Sequence, residues 1–369
     1  QEGDETVDRL LVLCGDVPLI APADLAALVA ALDGPRDSRP AVAVLGFRTP
    51  PPNGYGRLIL DDAGRLLRIV EAAEADDAER AVDLCNGGVM VFDAAFARAH
   101  IGDLAPHPPK DEIYLTDLVA VARDAGRDVV VIEAGDPEGL AGINSPADLA
   151  AVEALFQSRR RAEMLEAGVR MPAPETVHFA ADTEIAADVL IEPDVVFGPG
   201  VRIAKGARIR SFSHLEGAEI GPGAEIGPFA RLRPGARIGA RARIGNFVEV
   251  KKSTFGEGAK AGHLAYLGDA EIGAHANIGA GTITCNYDGF AKHRTVIGAG
   301  AFIGSNSALV APVTIGEGAI IGAGSTITRD VAPDALALER APQEERAGWA
   351  RTFRARREAR RNSRAAKEE

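Results

Sequence analysis

A chain of 369 residues has room for about two or three domains. Its formal net charge of -12 argues against general binding to nucleic acid or to an anionic membrane, and no apolar run reaches the length of a membrane span. Cys14, Cys85 and Cys285 lie far apart without a CxxC or a His/Cys cluster, which argues against a disulfide scaffold and a zinc site; with the polar opening Gln1 to Thr6, unlike a signal peptide, they point to the reducing cytoplasm.

The first part of the chain alternates short apolar runs with amphipathic ones. Leu10 to Leu13 reads as a buried strand, Pro22 to Leu32 as a helix and Ala41 to Phe47 as a strand. Leu58 to Leu60 and Leu66 to Val70 read as a pair of strands, Val89 to Phe92 as another, Leu115 to Ala125 as a helix and Val129 to Glu133 as a strand. That order predicts a Rossmann-like α/β domain with a mostly parallel sheet over residues 1–145. A doubly wound sheet normally opens on a strand and a Gly-rich phosphate turn, yet this chain enters at what reads as a middle strand. The domain is therefore expected to be truncated at its front and to expose an apolar edge, with low solubility as the consequence.

Ser145, followed by Pro146 and an apolar i, i+3, i+4 pattern, opens a helix that ends at Gly168. Residues 146–172 are thus a linker helix, broken by Met171-Pro-Ala-Pro174.

From Ile185 an aliphatic residue returns every six positions: Ile191, Phe197, Ile203, Ile209 and Leu215, then Ile220 to Val250 after one five-residue step, and later Ile297 to Ile327. A period of six fits neither a helix nor a lone hairpin. It is the signature of a parallel β-helix, whose short strands and tight turns stack into one triangular core. Gly usually follows the aliphatic residue, where it is expected to accept φ values that a side chain resists. The β-helix is placed at 173–335. Cys285 to Thr295 interrupts the hexads and must leave the coil as a loop, the kind of excursion that carries function. The tail, 336–369, holds ten Lys or Arg residues between Arg340 and Lys367. It reads as a solvated helix, because no aromatics interleave the charges as nucleic-acid contact would require.

Polar residues cluster within the solenoid. Arg231-Leu-Arg-Pro-Gly235, Asn246 to Lys252, Lys260 to Tyr266 and Cys285 to Gly289 follow one another at about one coil of ~18 residues, so they stack on the same side. Arg233 and Lys251 would place two cations together, an attraction for phosphate. His263, with Tyr266 three residues on, is the natural general base. A lone histidine is more often structural; the neighbouring anion site and polar loop favour the base. His100, His107, His178, His214, His275 and His293 have no such setting.

These motifs carry a resemblance. Gly15-Asp-Val-Pro-Leu19, Gly54-Tyr-Gly-Arg57, Ile69-Val-Glu71, Asn86-Gly-Gly88, Tyr114-Leu-Thr-Asp117 and Gly142-Ile-Asn144, then Gly245 to Lys252, Lys260 to Gly273 and Gly279 to Gly289, resemble the bacterial family of bifunctional N-acetylglucosamine-1-phosphate uridyltransferases and glucosamine-1-phosphate N-acetyltransferases. The resemblance implies a left-handed parallel β-helix behind an α/β nucleotidyltransferase-like domain. It also implies a homotrimer whose products supply peptidoglycan and lipopolysaccharide synthesis. His263 would take a proton from the amine of glucosamine 1-phosphate, with Arg233, Lys251, Tyr266 and Asn277 on the sugar phosphate. Ala280, Asn286, Tyr287, Ser305, Ala323 and Arg340 would line the acetyl-coenzyme A site. In the α/β domain Asp16 and Asn144 would hold Mg²⁺ while Cys14, Gly15, Gly56, Glu71 and Asn86 contact UDP-N-acetylglucosamine or its precursors.

One departure stands out: no Gly-rich triphosphate loop lies between Gln1 and Asp16, so the expectation is acetyl transfer with little or no uridylyl transfer from UTP. The competing readings are another hexapeptide acyltransferase and a non-catalytic trimeric scaffold that binds sugar nucleotides.

Overall fold

The computed structural model describes residues 7–35, 38–107 and 111–368. It divides into two compact units, Gln1–Phe156 and Gln157–Glu369. In the first, the elements follow in the order read from the apolar runs. They are β1 Arg9–Val12, α1 Pro22–Ala30, β2 Val42–Arg48, β3 Arg57–Leu60, β4 Leu66–Val70, α2 Asp77–Arg80, β5 Leu84–Asp93, α3 Ala94–His100, α4 Leu118–Asp124 and β6 Val129–Glu133. Residues on β2 alternate between two cores: Val42 and Val44 pack with Leu66, Phe92 and Leu118, whereas Ala43 and Leu45 pack with Leu28, Leu32 and Val91. The strand is therefore buried and uncharged from Val42 to Phe47, as a sheet covered on both faces requires.

The sheet runs β4-β3-β5-β2-β6, with β1 also on β5. It is mixed, not mostly parallel: β2 and β6 pair in parallel, while β1, β2 and β3 are each antiparallel to β5 and β3 is antiparallel to β4. Apolar runs mark strands but carry no direction. The β3–β4 reversal is made by a turn in which the Asp61 carboxylate accepts from the Ala63 and Arg65 amides (3.0 and 2.9 Å). The reading of Leu10 to Leu13 as a buried strand is also corrected. Leu10 and Leu11 are 42% and 37% exposed, because β1 is paired with β5 alone.

The helix α5, Pro146–Glu166, starts where Ser145 Oγ accepts from the Asp148 amide (3.2 Å). Its later part belongs to the second unit. Gln157 there donates to the Phe179 carbonyl (2.7 Å) and accepts from the Phe179 amide (2.9 Å), closing the polar end of the first coil.

The second unit is a left-handed parallel β-helix with three faces. The first runs from His178–Phe179 to Thr326–Ile327, the second from Glu184–Ile185 to Val313–Ile315 and the third from Leu190–Ile191 to Leu336–Ala337, with nine, eight and nine strands among the described residues. The aliphatic ladder becomes three inward columns, for example Ile203, Ile220, Ile238 and Phe255 on the second face, all in one continuous core. Apart from Ala337 at the end of the third face, two positions depart from it: Ala261 and Thr284 take the places of larger aliphatic residues, both in the coils that carry the polar motifs.

The glycine after the aliphatic residue has a different reason from the expected one. Gly239 lies outside the left-handed region, but a Cβ there would sit 2.6 Å from the Phe255 carbonyl oxygen and 3.0 Å from the Glu257 amide, so Gly lets neighbouring coils touch. Positive φ falls two residues later, at the corner, where Arg241, Phe247, Leu264 and Asn306 also adopt it.

Candidate active site

The third and first faces meet at a corner that the polar motifs share. Just before each positive-φ residue of this corner stand Asn246, His263, Ala280, Ser305 and Ala323, one per coil and in file. The backbone joins these coils, since Leu264 donates to the Asn246 carbonyl, Asn306 to that of Ala280 and Gly324 to that of Ser305 (3.0, 2.7 and 2.8 Å). Arg340 extends the file, its guanidinium donating to the Ala323 carbonyl (2.8 Å). The imidazole of His263 is exposed, and its Nδ1 lies 2.5 Å from Asn246 Oδ1. The side chains that follow it in the file, Ala280, Ser305 and Ala323, are all small.

Around that corner, the first face gathers charge. Arg233 and Lys251 directly follow Leu232 and Val250, which are ladder partners of each other, and Arg233 pairs with Glu249 at 2.8 Å. Lys292, from the inserted loop, lies against the Lys251 ammonium; this contact, with the nearby Arg233 and Lys252, pushes the Lys251 pKa below its ordinary value. Gly268 is the ladder partner of Lys251, and its missing side chain matters: a Cβ there would overlap the Tyr266 hydroxyl and lie 2.7 Å from the Asn286 amide nitrogen. Thr284, the polar intruder in the core, holds this strand by accepting from the Gly268 amide (2.8 Å). Asn286 is buried and donates to Asp269 (2.6 Å).

The inserted loop is itself braced. Asp288 accepts from the amides of Phe290 and Ala291 (2.8 and 2.7 Å) and meets His293 Nε2 at 2.7 Å, which holds its carboxyl well below the usual range. His293 is thus a structural partner of the loop. Tyr287 is exposed, its hydroxyl donating to the Gly289 carbonyl (2.6 Å).

Of the sequence-derived acetyltransferase residues, Arg233, Lys251, Tyr266 and Asn286 share the first face, with Tyr287 in its inserted loop, and His263, Ala280, Ser305, Ala323 and Arg340 share the corner. Asn277 stands apart. Its ladder partners are Lys260 and Phe302, which puts it on the third face, away from the cations.

In the α/β unit a cavity of about 260 Å³ is lined by Cys14, Glu71, Asn86, Met90, Tyr114 and Thr116 among others. The Asn86 backbone amide donates to the Gly56 carbonyl (2.8 Å), and Cys14 Sγ donates to the Gly88 carbonyl (3.0 Å), so Cys14, Glu71 and Asn86 line one cavity and Gly56 is bonded to its rim. Burial, then Glu74 and Asp117, push the Glu71 carboxyl up from its ordinary value. The Ile143 amide donates to the Asp16 carbonyl (2.9 Å), which brings Asn144 beside Asp16. Among the described residues neither the Asp16 carboxylate nor the Asn144 side-chain amide has a hydrogen-bond partner. One carboxylate and one amide oxygen fit Mg²⁺, which keeps several waters and takes few protein ligands.

The family described as bacterial transferase hexapeptide (six repeats) matches residues 217–252 and 294–329. Relatives match over almost all of this chain and about three quarters of their own length. The bifunctional protein GlmU of Maricaulis maris (strain MCS10) is 59% identical over 350 residues, covering 95% of this chain and 76% of the relative. That of Bradyrhizobium sp. (strain ORS 278) is 54% identical over 347 residues, covering 94% and 76%, and that of Allorhizobium ampelinum is 61% identical over 337 residues, covering 91% and 73%. The chain belongs to the GlmU family.

GlmU proteins are enzymes that join an acetyltransferase to a uridyltransferase, with acetyl-coenzyme A and Mg²⁺ as their co-substrate and metal. The hexapeptide family match falls wholly within the β-helix unit. Three features of this GlmU chain were missed in its sequence. Lys292 lies in the inserted loop, whose path no hexad arithmetic follows. Asn246 and Asp269 carried no role, although both lie in or beside quoted motifs. Tyr114 and Thr116, within the quoted Tyr114-Leu-Thr-Asp117, line the α/β cavity. The basic tail forms α6, Trp349–Glu368, and here the sequence reading is corrected: Trp349 and Phe353 do stand among the charges, their rings stacked at 5.1 Å with Arg357 5.4 Å over Phe353. No described helix is long and apolar enough to cross a membrane.

Proposed function

We propose that this chain acetylates glucosamine 1-phosphate at the solenoid corner, with His263 as general base. The sugar phosphate sits against Arg233, Lys251 and Lys292, where like charges held together favour a dianion, and the Tyr266 hydroxyl donates to it. The thioester arm of acetyl-coenzyme A lies along Ala280, Ser305 and Ala323, with Arg340 at its far end and Asn286 and Tyr287 beside the reacting carbonyl. The amine nitrogen attacks that carbonyl while His263 takes its proton; the C–N bond forms, the C–S bond breaks, and the thiolate leaves as free coenzyme A. Asn277 reaches the sugar from a neighbouring copy in a homotrimer. The supporting observation is the single file of His263, Ala280, Ser305, Ala323 and Arg340 beside the cation cluster.

In the α/β unit Cys14, Gly15, Gly56, Glu71 and Asn86 hold the sugar of UDP-N-acetylglucosamine, and Asp16 and Asn144 hold Mg²⁺. That ion, when bound, would supply neutralisation of the phosphate charge in nucleotidyl transfer. We assign 1–145 to this domain, 146–172 to the linker helix, 173–335 to the acetyltransferase and 336–369 to the tail, and place the protein in the cytoplasm with small-molecule substrates.

A thiol-release assay with acetyl-coenzyme A and glucosamine 1-phosphate tests the acetyltransferase. His263→Ala is expected to lower kcat by about 10²- to 10⁴-fold. Equal rates for the two proteins would remove His263 as base, and no release from either would favour the scaffold reading.

A further inference from the structure

Asn246 opens a motif of which the proposed function uses only Lys251. It is the ladder partner of His263, one coil away at the same corner position, half-buried where His263 is exposed. Its Oδ1 lies 2.5 Å from His263 Nδ1, and among the described residues the imidazole has no other hydrogen-bond partner. A side-chain carbonyl oxygen can only accept. The nitrogen it faces must therefore carry the proton, which leaves the lone pair on Nε2.

We propose that Asn246 is the positioning residue of the acetyltransferase: by accepting from Nδ1–H it fixes the tautomer and ring orientation that present a basic Nε2 to the substrate amine. This rests on His263 being the base. A free imidazole divides itself between two tautomers and rotates about its side-chain bonds, so only part of the population could take the proton. An amide acceptor settles both without adding a charge. A carboxylate in the same place would also accept, but would hold the proton taken from the amine more tightly after transfer. The corner explains why the contact is available. Phe247 and Leu264 each take positive φ, at 57° and 50°, so the two coils turn in register and the residues before them stack directly.

The test uses the full chain and the thiol-release assay at one fixed pH for every variant. Asn246→Ala is expected to lower kcat about tenfold, the worth of one hydrogen bond in the transition state, with KM for glucosamine 1-phosphate within about twofold of wild type. Asn246→Asp, which can accept but not donate, should recover most of that loss. In a His263→Ala background, Asn246→Ala should have no further effect. A ¹H–¹⁵N spectrum of ¹⁵N-histidine-labelled protein should show His263 protonated on Nδ1 in wild type and in Asn246→Asp, and a mixture in Asn246→Ala. An unchanged kcat in Asn246→Ala, a change in KM alone, or an Asn246→Asp no faster than Asn246→Ala would overturn the proposal, the last by making the amide a donor. If His263→Ala itself keeps wild-type rate, the base assignment fails first, and that result is separate from any Asn246 effect.

Discussion

Lys251 shows how the site stores its preference for an anion. Its ammonium faces Lys292 first, then Arg233 and Lys252, and among the described residues only Arg233 has a carboxylate of its own, Glu249. Each cation makes its neighbours harder to protonate, and a bound phosphate reverses this. The sign follows from linkage: a lysine whose folded pKa is lowered binds fewer protons folded than unfolded, so the cluster costs stability at neutral pH and that cost fades as pH rises through the lowered pKa. Lys292→Ala is expected to raise KM for glucosamine 1-phosphate about tenfold with little change in kcat. It should also shift the alkaline rise of KM to higher pH, because Lys251 then keeps its proton longer. A pH series of initial rates for both proteins reads both effects, and an unchanged KM would take Lys292 out of the phosphate site.

At the scale of the element, the hexad is a rule about two contacts, one inward and one between coils. The aliphatic residue fills the core, and the glycine after it clears the path of the next coil. Gly239→Val would drive a side chain into the backbone of Phe255 to Glu257 and is expected to cost about 2 kcal/mol or more, seen as a lower urea midpoint. Gly300→Asn is the control. Gly300 has φ of 63° and open space around its Cβ, and asparagine tolerates that conformation, so the loss there should be well under 1 kcal/mol. Equal losses at the two sites would show that φ, and not the approach of coils, selects these glycines. The same logic explains the two intrusions near the site. Ala261 and Thr284 give up apolar burial, and Thr284 uses its hydroxyl to hold the strand on which Tyr266 stands.

At the scale of the whole molecule, one residue of the acetyltransferase set is out of place within a single chain. Asn277 occupies the third face while Arg233 and Lys251 occupy the first. A homotrimer that sets one copy's third face opposite another's first face would close the site. Mixing refolded Lys251→Ala and Asn277→Ala chains in equal amounts should then restore activity that neither has alone, approaching about one quarter of wild type, because random assortment leaves both residues intact at about that share of independent boundary sites. Failure of mixed trimers to recover any activity would place the complete site within one chain.

Much of this was legible in the sequence. A six-residue period has one structural solution, so the β-helix, its core columns and the stacking of Arg233 on Lys251 followed from counting. The motifs around His263 carried the family, and the loop after Cys285 could be recognised because it broke the count. What the sequence could not determine were relations that counting does not reach. Strand direction in the α/β sheet depends on which edges meet, so a mostly parallel sheet was expected where a mixed one forms. The reach of Lys292 back to Lys251 depends on how an irregular loop folds. The face on which Asn277 lies depends on where the coil turns. The hydrogen bond from His263 to Asn246 depends on two corners lying in register to within a fraction of an ångström, and only folded coils, packed backbone against backbone, decide that.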